Sequence, residues 1–311
     1  MTDNNNTFGA TMSKALKDDG DDFLNMALKK WKFTSKYKRN QIIFICLLVF
    51  FLTFGSVFTY YYTQIQQIKE QYDNQCTLNS QCQIQLHITQ NMTQPIFFYY
   101  EIDNFYQTNR KFYQSKDSLQ LKGEDRTISQ LSSCAPYVTN QDMGKNQSFT
   151  GQPLNPLDPA IPCGLLAKLY FNDTFQFQSQ DGTPINIDQS SIAWDVDIDY
   201  NYKQTSDAAQ KAWVDVTNEH FMVWMRTSGM GTFKKLWGRI KQDIPAGIYN
   251  LTINNQYNTS EYNGQKFFII TTSSPFGQKN IVLIVAYFSG ALICIISVVS
   301  LYFFNKAKKD K

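Results

Sequence analysis

Two long runs of uncharged apolar residues constrain this chain more than any other feature. They occupy residues 42–62 and 281–304, which are 21 and 24 residues long. With a rise of about 1.5 Å per residue, helices of these lengths span roughly 31 Å and roughly 36 Å, against a bilayer hydrocarbon core of about 30 Å. The sequence therefore predicts two transmembrane helices and excludes a single soluble globule. Some forty mostly polar residues precede the first run, which argues against a cleaved signal peptide.

Cations flank the outer ends of both runs. Six lysines and arginines lie within residues 29–39, and four lysines lie within residues 306–311. Because cytoplasmic flanks of membrane helices are enriched in cations, both termini are predicted to be cytoplasmic. The predicted organisation is an N-terminal tail (1–41), a first span (42–62), an exoplasmic or lumenal domain (63–280), a second span (281–304) and a C-terminal tail (305–311).

The net charge differs between the two sides of the membrane. The tails carry a net +6 and the 218-residue ectodomain a net −3. This division favours contact of the tails with anionic lipid headgroups and argues against nucleic acid as a partner. Residues 21–31 have the spacing of a short amphipathic helix, although a frayed basic tail fits equally well. Lys308 and Lys309 resemble a dilysine retrieval signal or, alternatively, a cytoplasmic anchor.

The cysteines fit this topology. Cys46 and Cys294 lie within the spans and are interpreted as small apolar residues. The other four are exoplasmic, an even number in an oxidising compartment, and are predicted to form disulfides: Cys76, Cys82, Cys134 and Cys163. Three pairings are possible. Proximity along the chain favours Cys76 with Cys82 and Cys134 with Cys163, because short loops close more readily.

Five N-x-S/T triplets lie in the predicted lumenal segment, in agreement with its sidedness. We predict N-glycosylation at Asn91, Asn146, Asn172, Asn250 and Asn258.

Alternation of apolar and polar residues dominates the ectodomain. It occurs at residues 84–88, 194–200 and 249–253, and it predicts antiparallel strands with one buried face. Strands early and late in the domain predict a β-sandwich. Residues 103–165 are polar and contain several prolines and glycines, which indicates an inserted lobe held together by cysteines. An apolar stripe within residues 233–240 predicts a short helix.

Catalytic candidates are few. The two histidines, His87 and His220, have no partner at metal-ligand spacing, so structural roles are favoured. The carboxylates of residues 195–199 could bind calcium or act as a pair, but a solvated strand face is the preferred interpretation. The sequence contains no phosphate-binding loop, nucleophile elbow or dinucleotide fingerprint, so no catalytic, metal or cofactor site is predicted.

The spans contain no ionisable carboxylate, lysine, arginine or histidine, so neither offers an ion path. The second span has one face of small residues at four-residue spacing, formed by Ala286, Gly290 and Cys294. This face predicts docking against other helices. The alternative is that the spacing arose by chance and the face contacts lipid.

Several blocks of the ectodomain resemble one known family. In order they are Asn104 to Arg110 (NFYQTNR), Pro162-Cys163-Gly164, Phe171 to Thr174 (FNDT), Ile192-Ala193-Trp194, Asn218 to Thr227 (NEHFMVWMRT) and Thr232 to Leu236 (TFKKL). They resemble the signature blocks of the cell cycle control protein 50 or ligand-effect modulator family. Its members are accessory beta subunits of type IV P-type ATPases, the phospholipid flippases.

The resemblance implies a non-catalytic subunit that binds a ten-span ATPase, escorts it out of the endoplasmic reticulum and supports its transport cycle. It also implies a two-span α-helical membrane protein with a mainly β exoplasmic domain, an antiparallel β-sandwich with an inserted disulfide-bonded, partly helical lobe. The family's lobe disulfide falls on Cys134 and Cys163, and its glycosylated sequon on Asn172. The expected location is the secretory pathway or plasma membrane. A membrane-anchored receptor or adhesion glycoprotein, or a tethered hydrolase, are the alternatives.

Overall fold

A computed structural model describes residues 37–309. They divide into two units, one formed by the two terminal helices and the other by residues 60–280. The helices are α1 (Tyr37–Gln64) and α8 (Ile281–Lys309), both long and apolar enough to cross a membrane. Each extends beyond its apolar run into flanking polar residues. The amphipathic helix predicted at residues 21–31 lies outside the described residues.

Within the helical unit, α1 and α8 pack through two glycines that each receive an aromatic ring. A Cβ added to Gly55 would lie 3.4 Å from the Phe288 ring, and one added to Gly290 would lie 3.1 Å from the Phe51 ring. The absence of side chains at these positions therefore permits the close approach of the two helices.

The second unit contains two four-stranded antiparallel sheets. The first has the order β1-β8-β3-β6 and the second the order β2-β7-β4-β5. The strands are β1 (Gln67–Gln71), β2 (Ser80–Ile88), β3 (Ile96–Ile102), β4 (Thr174–Ser179), β5 (Pro184–Ile185), β6 (Phe233–Ile240), β7 (Gly247–Asn255) and β8 (Lys266–Thr272). The strands predicted at residues 84–88 and 249–253 are confirmed as parts of β2 and β7.

Aromatic side chains fill the space between the two sheets. The ring of Phe98 on β3 lies 5.0 Å from that of Phe175 on β4, and Tyr100 stacks on Phe171 at 3.8 Å. Residues of both sheets belong to one buried cluster. The β-sandwich predicted from alternation is therefore confirmed, because each sheet buries one face against the other.

Between β3 and β4 the chain forms the inserted lobe, built from short helices: α2 (Arg110–Gln114), α3 (Ser118–Leu121), α4 (Asn140–Met143) and α5 (Leu165–Lys168). The disulfide Cys134–Cys163 lies in it, with 5.7 Å between the Cα atoms. Gly164 follows at φ +98°, and a Cβ there would lie 2.2 Å from the carbonyl oxygen of Ser115. The close approach of these two segments thus requires glycine.

Two local predictions were wrong. Residues 233–240 form strand β6 and not a helix. The alternation of the strand was concealed because a buried lysine, Lys235, occupies the inward position between Phe233 and Trp237. Residues 197–201 form a helical turn of π type and not a strand. There the pattern is reversed, since Asp197 is buried while Trp194, Val196 and Tyr200 are exposed.

Candidate functional site

The helix α7 (Glu219–Met225) holds the loop that leads into Trp194. The Asn218 side chain caps the helix by accepting a hydrogen bond from the backbone N–H of His220 at 2.8 Å. The Glu219 carboxylate accepts backbone N–H bonds from the three consecutive residues Ser191, Ile192 and Ala193 at 2.6–2.9 Å. Two of the signature blocks therefore fold as one unit, and Glu219 fixes the position from which Trp194 projects.

Arg226 lies at the end of α7 and joins it to the turn at residues 197–201. Its Nε donates to Asp197 Oδ2, while Asn201 Nδ2 donates to Asp197 Oδ1 at 2.8 Å. The guanidinium group lies 4.3 Å from the centroid of the Trp194 ring. Because Asp197 is buried and Trp194 is 65% exposed, the ion pair anchors a turn that presents a large aromatic surface to the solvent.

Lys235 on β6 satisfies the C-terminal carbonyls of α7. Its Nζ donates to the carbonyl oxygens of Val223 at 2.9 Å and Trp224 at 3.1 Å, and also to that of Arg226. Burial lowers the pKa of Lys235 to about 7, with a smaller contribution from the charge of Arg226. Lys235 therefore acts as a buried helix cap and not as a surface charge.

These elements border an open cleft of about 870 Å³, which includes Trp194, Val196 and Leu236 among its apolar lining and Lys234 and Arg239 among its cations. Lys234 Nζ donates to Gln278 Oε1 at 2.6 Å and lies 5.0 Å from the Tyr99 ring. Both cations lie over aromatic rings, Arg239 at 5.9 Å from Phe97.

A second cleft of about 380 Å³ shares Arg226 with the first and adds Lys116, Lys122 and the exposed Tyr113. Burial lowers the pKa of Lys116, although the charge of Asp197 opposes the shift. We call the two clefts and their rims the cationic–aromatic surface, and define it by Lys116, Trp194, Arg226, Lys234 and Arg239. This arrangement suits acidic side chains flanked by apolar ones.

A buried charge network lies beneath the sequon at Asn172. Asp173 Oδ1 accepts backbone N–H bonds from Gln256 and Tyr257, both at 2.6 Å, and Oδ2 accepts from Tyr72 Oη at 2.6 Å and Lys266 Nζ at 2.7 Å. Burial lowers the pKa of Lys266, and the attraction of Asp173 opposes that shift. The network joins the start of β4 to the ends of β1 and β7 and the start of β8.

The four cysteines between the two spans form the pairs Cys76–Cys82 and Cys134–Cys163. Of the five predicted glycosylation residues, four are exposed and Asn250 is half-buried on β7. On α8, Cys294 is buried and Gly290 contacts α1, whereas Ala286 is exposed. Gly290 thus packs within the chain, and docking of this face on a partner stays a prediction.

The two histidines lie in different environments. His87 is on the exposed face of β2. The His220 ring lies 3.9 Å from that of Trp237, its Nε2 is 2.8 Å from Gln189 Oε1, and burial lowers its pKa to about 4. Within residues 37–309, no group of three or more histidines, cysteines and carboxylates could hold a metal ion.

The sequence did not reveal the roles of Glu219, Arg226 and Lys235. The partners of Glu219 and Arg226 lie more than twenty residues away in the chain, and those of Lys235 are backbone carbonyls at the end of the preceding helix. The available signal was chemical, since charged residues inside an apolar block such as residues 218–227 require buried partners.

Comparison with known proteins agrees with this architecture. Residues 48–311 match the family model described as LEM3 (ligand-effect modulator 3) family / CDC50 family. ALA-interacting subunit 3 of Arabidopsis thaliana is 30% identical over 81% of this chain and 76% of its own length. Cell cycle control protein 50A of Bos taurus is 30% identical over 74% of this chain and 69% of its own. Because the family match includes most of the chain, this protein belongs to the LEM3/CDC50 family.

Proposed function

We propose that this protein is a non-catalytic accessory subunit of a phospholipid-flippase P-type ATPase. The observation that carries the proposal is the family match over residues 48–311, which includes the ectodomain, the second span and most of the first. The name of one relative, ALA-interacting subunit 3, describes a subunit that interacts with ALA. In this proposal ATP hydrolysis and lipid translocation belong to the partner, while this chain supports assembly, exit from the endoplasmic reticulum and the transport cycle.

The cationic–aromatic surface is the proposed contact of the ectodomain with the partner. It combines the exposed ring of Trp194 with the cations Lys234 and Arg239 in an open cleft. An occupant should therefore be an acidic, partly apolar exoplasmic loop. Such binding favours a state of the transport cycle only to the extent that the contacts differ between states.

The remaining contacts involve the membrane and its two sides. We propose that residues 63–280 are lumenal, with N-glycans on the five sequons, and that both tails are cytoplasmic near anionic lipid headgroups. The exposed Ala286 lies on a face of α8 available to a helix of the partner. The expected residence is the endoplasmic reticulum, Golgi, endosome or plasma membrane.

A pull-down in mild detergent tests the proposal. Tagged wild-type protein should co-purify a P-type ATPase of roughly a thousand residues, and the double variant Lys234→Glu/Arg239→Glu should lose most of it. Lys211→Glu is the matched control, because Lys211 is an exposed lysine on another part of the ectodomain. Wild-type protein that reaches its membrane without an ATPase would indicate a receptor or adhesion protein. Unchanged recovery with the double variant would remove the cationic–aromatic surface from the proposal.

A further inference from the structure

The outer face of the second sheet carries no carboxylate, lysine or arginine along its three long strands, and its one ionisable side chain is His87. Two adjacent rows of residues run across these strands at the centre of the face. One row is Gln85, Asn250 and Gln178, and the other is Gln83, Thr252 and Gln176. We call these six residues the amide face. The outer face of the first sheet differs, since it carries an ion pair between Lys69 and Glu101 at 2.5 Å.

The register places Asn250 at the centre of the amide face. It lies opposite Gln85 on β2 and opposite Gln178 on β4, and Thr252 lies between Gln83 and Gln176 in the same way. Neighbouring strands are about 4.8 Å apart, and the next row on the same face is about 7 Å away. A group attached to Asn250 therefore has side-chain amides on both sides within one strand spacing.

These amides have unused hydrogen-bonding capacity. In the part of the chain that the structure describes, no hydrogen bond within the protein uses the side chains of the six residues. Each glutamine offers two donors and an acceptor, with no charge to select an ion. The face is therefore suited to an uncharged ligand that has many hydroxyl and amide groups.

The β2 edge of this sheet also lacks the residue types that commonly protect a sheet edge. β2 is an edge strand of nine residues without a lysine, glutamate or proline. Long uncharged edges rich in glutamine are templates for strand pairing between molecules. A bulky neutral cover beside β2 would prevent such pairing.

We propose that the N-glycan on Asn250 folds back onto the amide face and covers it up to the β2 edge. Asn250 begins the triplet Asn250-Leu251-Thr252 and points outward, since the inward positions of β7 are the buried residues Tyr249, Leu251 and Ile253. The sugar hydroxyl and acetamido groups pair with the glutamine side chains on both sides. This inference rests on the proposed lumenal location and on modification of Asn250.

Native deglycosylation of the full-length protein in detergent tests this inference. Timed digestion with a peptide N-glycosidase, followed by site-resolved mass spectrometry, compares Asn250 with the exposed Asn91, which lies outside the sheets. We expect release at Asn250 to be at least about tenfold slower, which corresponds to about 1.4 kcal/mol of protection. The two rates should become equal after denaturation.

The double variant Gln85→Ala/Gln178→Ala keeps the sequon and should speed release at Asn250 to nearly the rate at Asn91. Gln210→Ala, an exposed glutamine on the helix α6 (Ala208–Lys211), is the control and should change neither rate. Equal native rates in the wild type, or no effect of the double variant, would overturn the inference. If the other four sequons carry glycans and Asn250 does not, only this inference is overturned. If all five sequons are empty, the lumenal location is overturned as well.

Discussion

The buried pair of Asp173 and Lys266 gives the sharpest test of how the ectodomain is held together. Their side chains are 0% and 1% exposed, and Asp173 Oδ2 accepts from both Tyr72 Oη and Lys266 Nζ. Asp173→Asn removes the charge but keeps the shape of the side chain. It also preserves the Asn172 sequon, because any middle residue except proline is allowed.

The expected cost follows from the partners that remain. After the change, the Lys266 ammonium loses its hydrogen-bonded carboxylate and keeps neutral acceptors such as Asn255 Oδ1 and the carbonyl oxygen of Tyr257. A buried charge without a counter-charge costs about 3–5 kcal/mol of unfolding free energy. Lys266→Met should cost less, because Asp173 keeps three other donors. The double variant should be more stable than the sum of the single changes predicts, with a coupling of about 2–3 kcal/mol.

Denaturant unfolding of the full-length protein, followed by tryptophan fluorescence, measures these values. The control is Asp207→Asn, which breaks an exposed ion pair with Lys211 (2.9 Å apart) and should leave the free energy of unfolding almost unchanged. Equal effects of Asp173→Asn and Asp207→Asn would refute the reasoning. So would additivity of the Asp173 and Lys266 changes, because the two charges would then not stabilise each other.

Three further predictions concern other parts of the ectodomain. The His220 pKa is lowered to about 4 in the folded state from an ordinary value of about 6.5, so its stabilising effect is present above pH 6.5 and lost as the pH falls towards 4. Between pH 7.5 and pH 5, the free energy of unfolding of His220→Gln should therefore fall by about 2 kcal/mol less than that of the wild type, as measured by denaturant unfolding at each pH. An equal fall in the two proteins would contradict this. Cys163→Ser should destabilise the fold by about 3.6 kcal/mol and Cys82→Ser by about 2.2 kcal/mol, because Cys134–Cys163 closes a longer loop than Cys76–Cys82. Cys163→Ser should also retain the partner in the endoplasmic reticulum. A reversed order of the two variants in urea unfolding, or normal export of the partner, would argue against these predictions. Gly164→Ala should cost more than about 2 kcal/mol, since it adds a clash with a backbone carbonyl to the strain of a positive φ, whereas Gly144→Ala, at φ +69° with nothing within 4 Å, should cost only about 1–2 kcal/mol in thermal unfolding.

Local sequence patterns were sufficient to predict the strands that bury one apolar face and the spans that are apolar along their whole length. The spans at 42–62 and 281–304 needed only hydropathy, and the strands at 84–88 and 249–253 needed only alternation, since each inward residue there is apolar. The segments at 194–200 and 233–240 were misassigned because a charged residue occupies a buried position in each. Asp197 and Lys235 are accommodated there by Arg226 and by the carbonyls of α7.

The sequence by itself determined the two membrane helices, the β-rich domain between them, and the family. These depend on composition and spacing along the chain, which are local quantities. Only the tertiary structure decided that Glu219, Arg226 and Lys235 build the support of the cationic–aromatic surface, and that Asn250 stands among unpaired amides from two other strands. The physical reason is that buried charges and cross-strand neighbours are satisfied by residues far away in the chain, and folding alone brings them together.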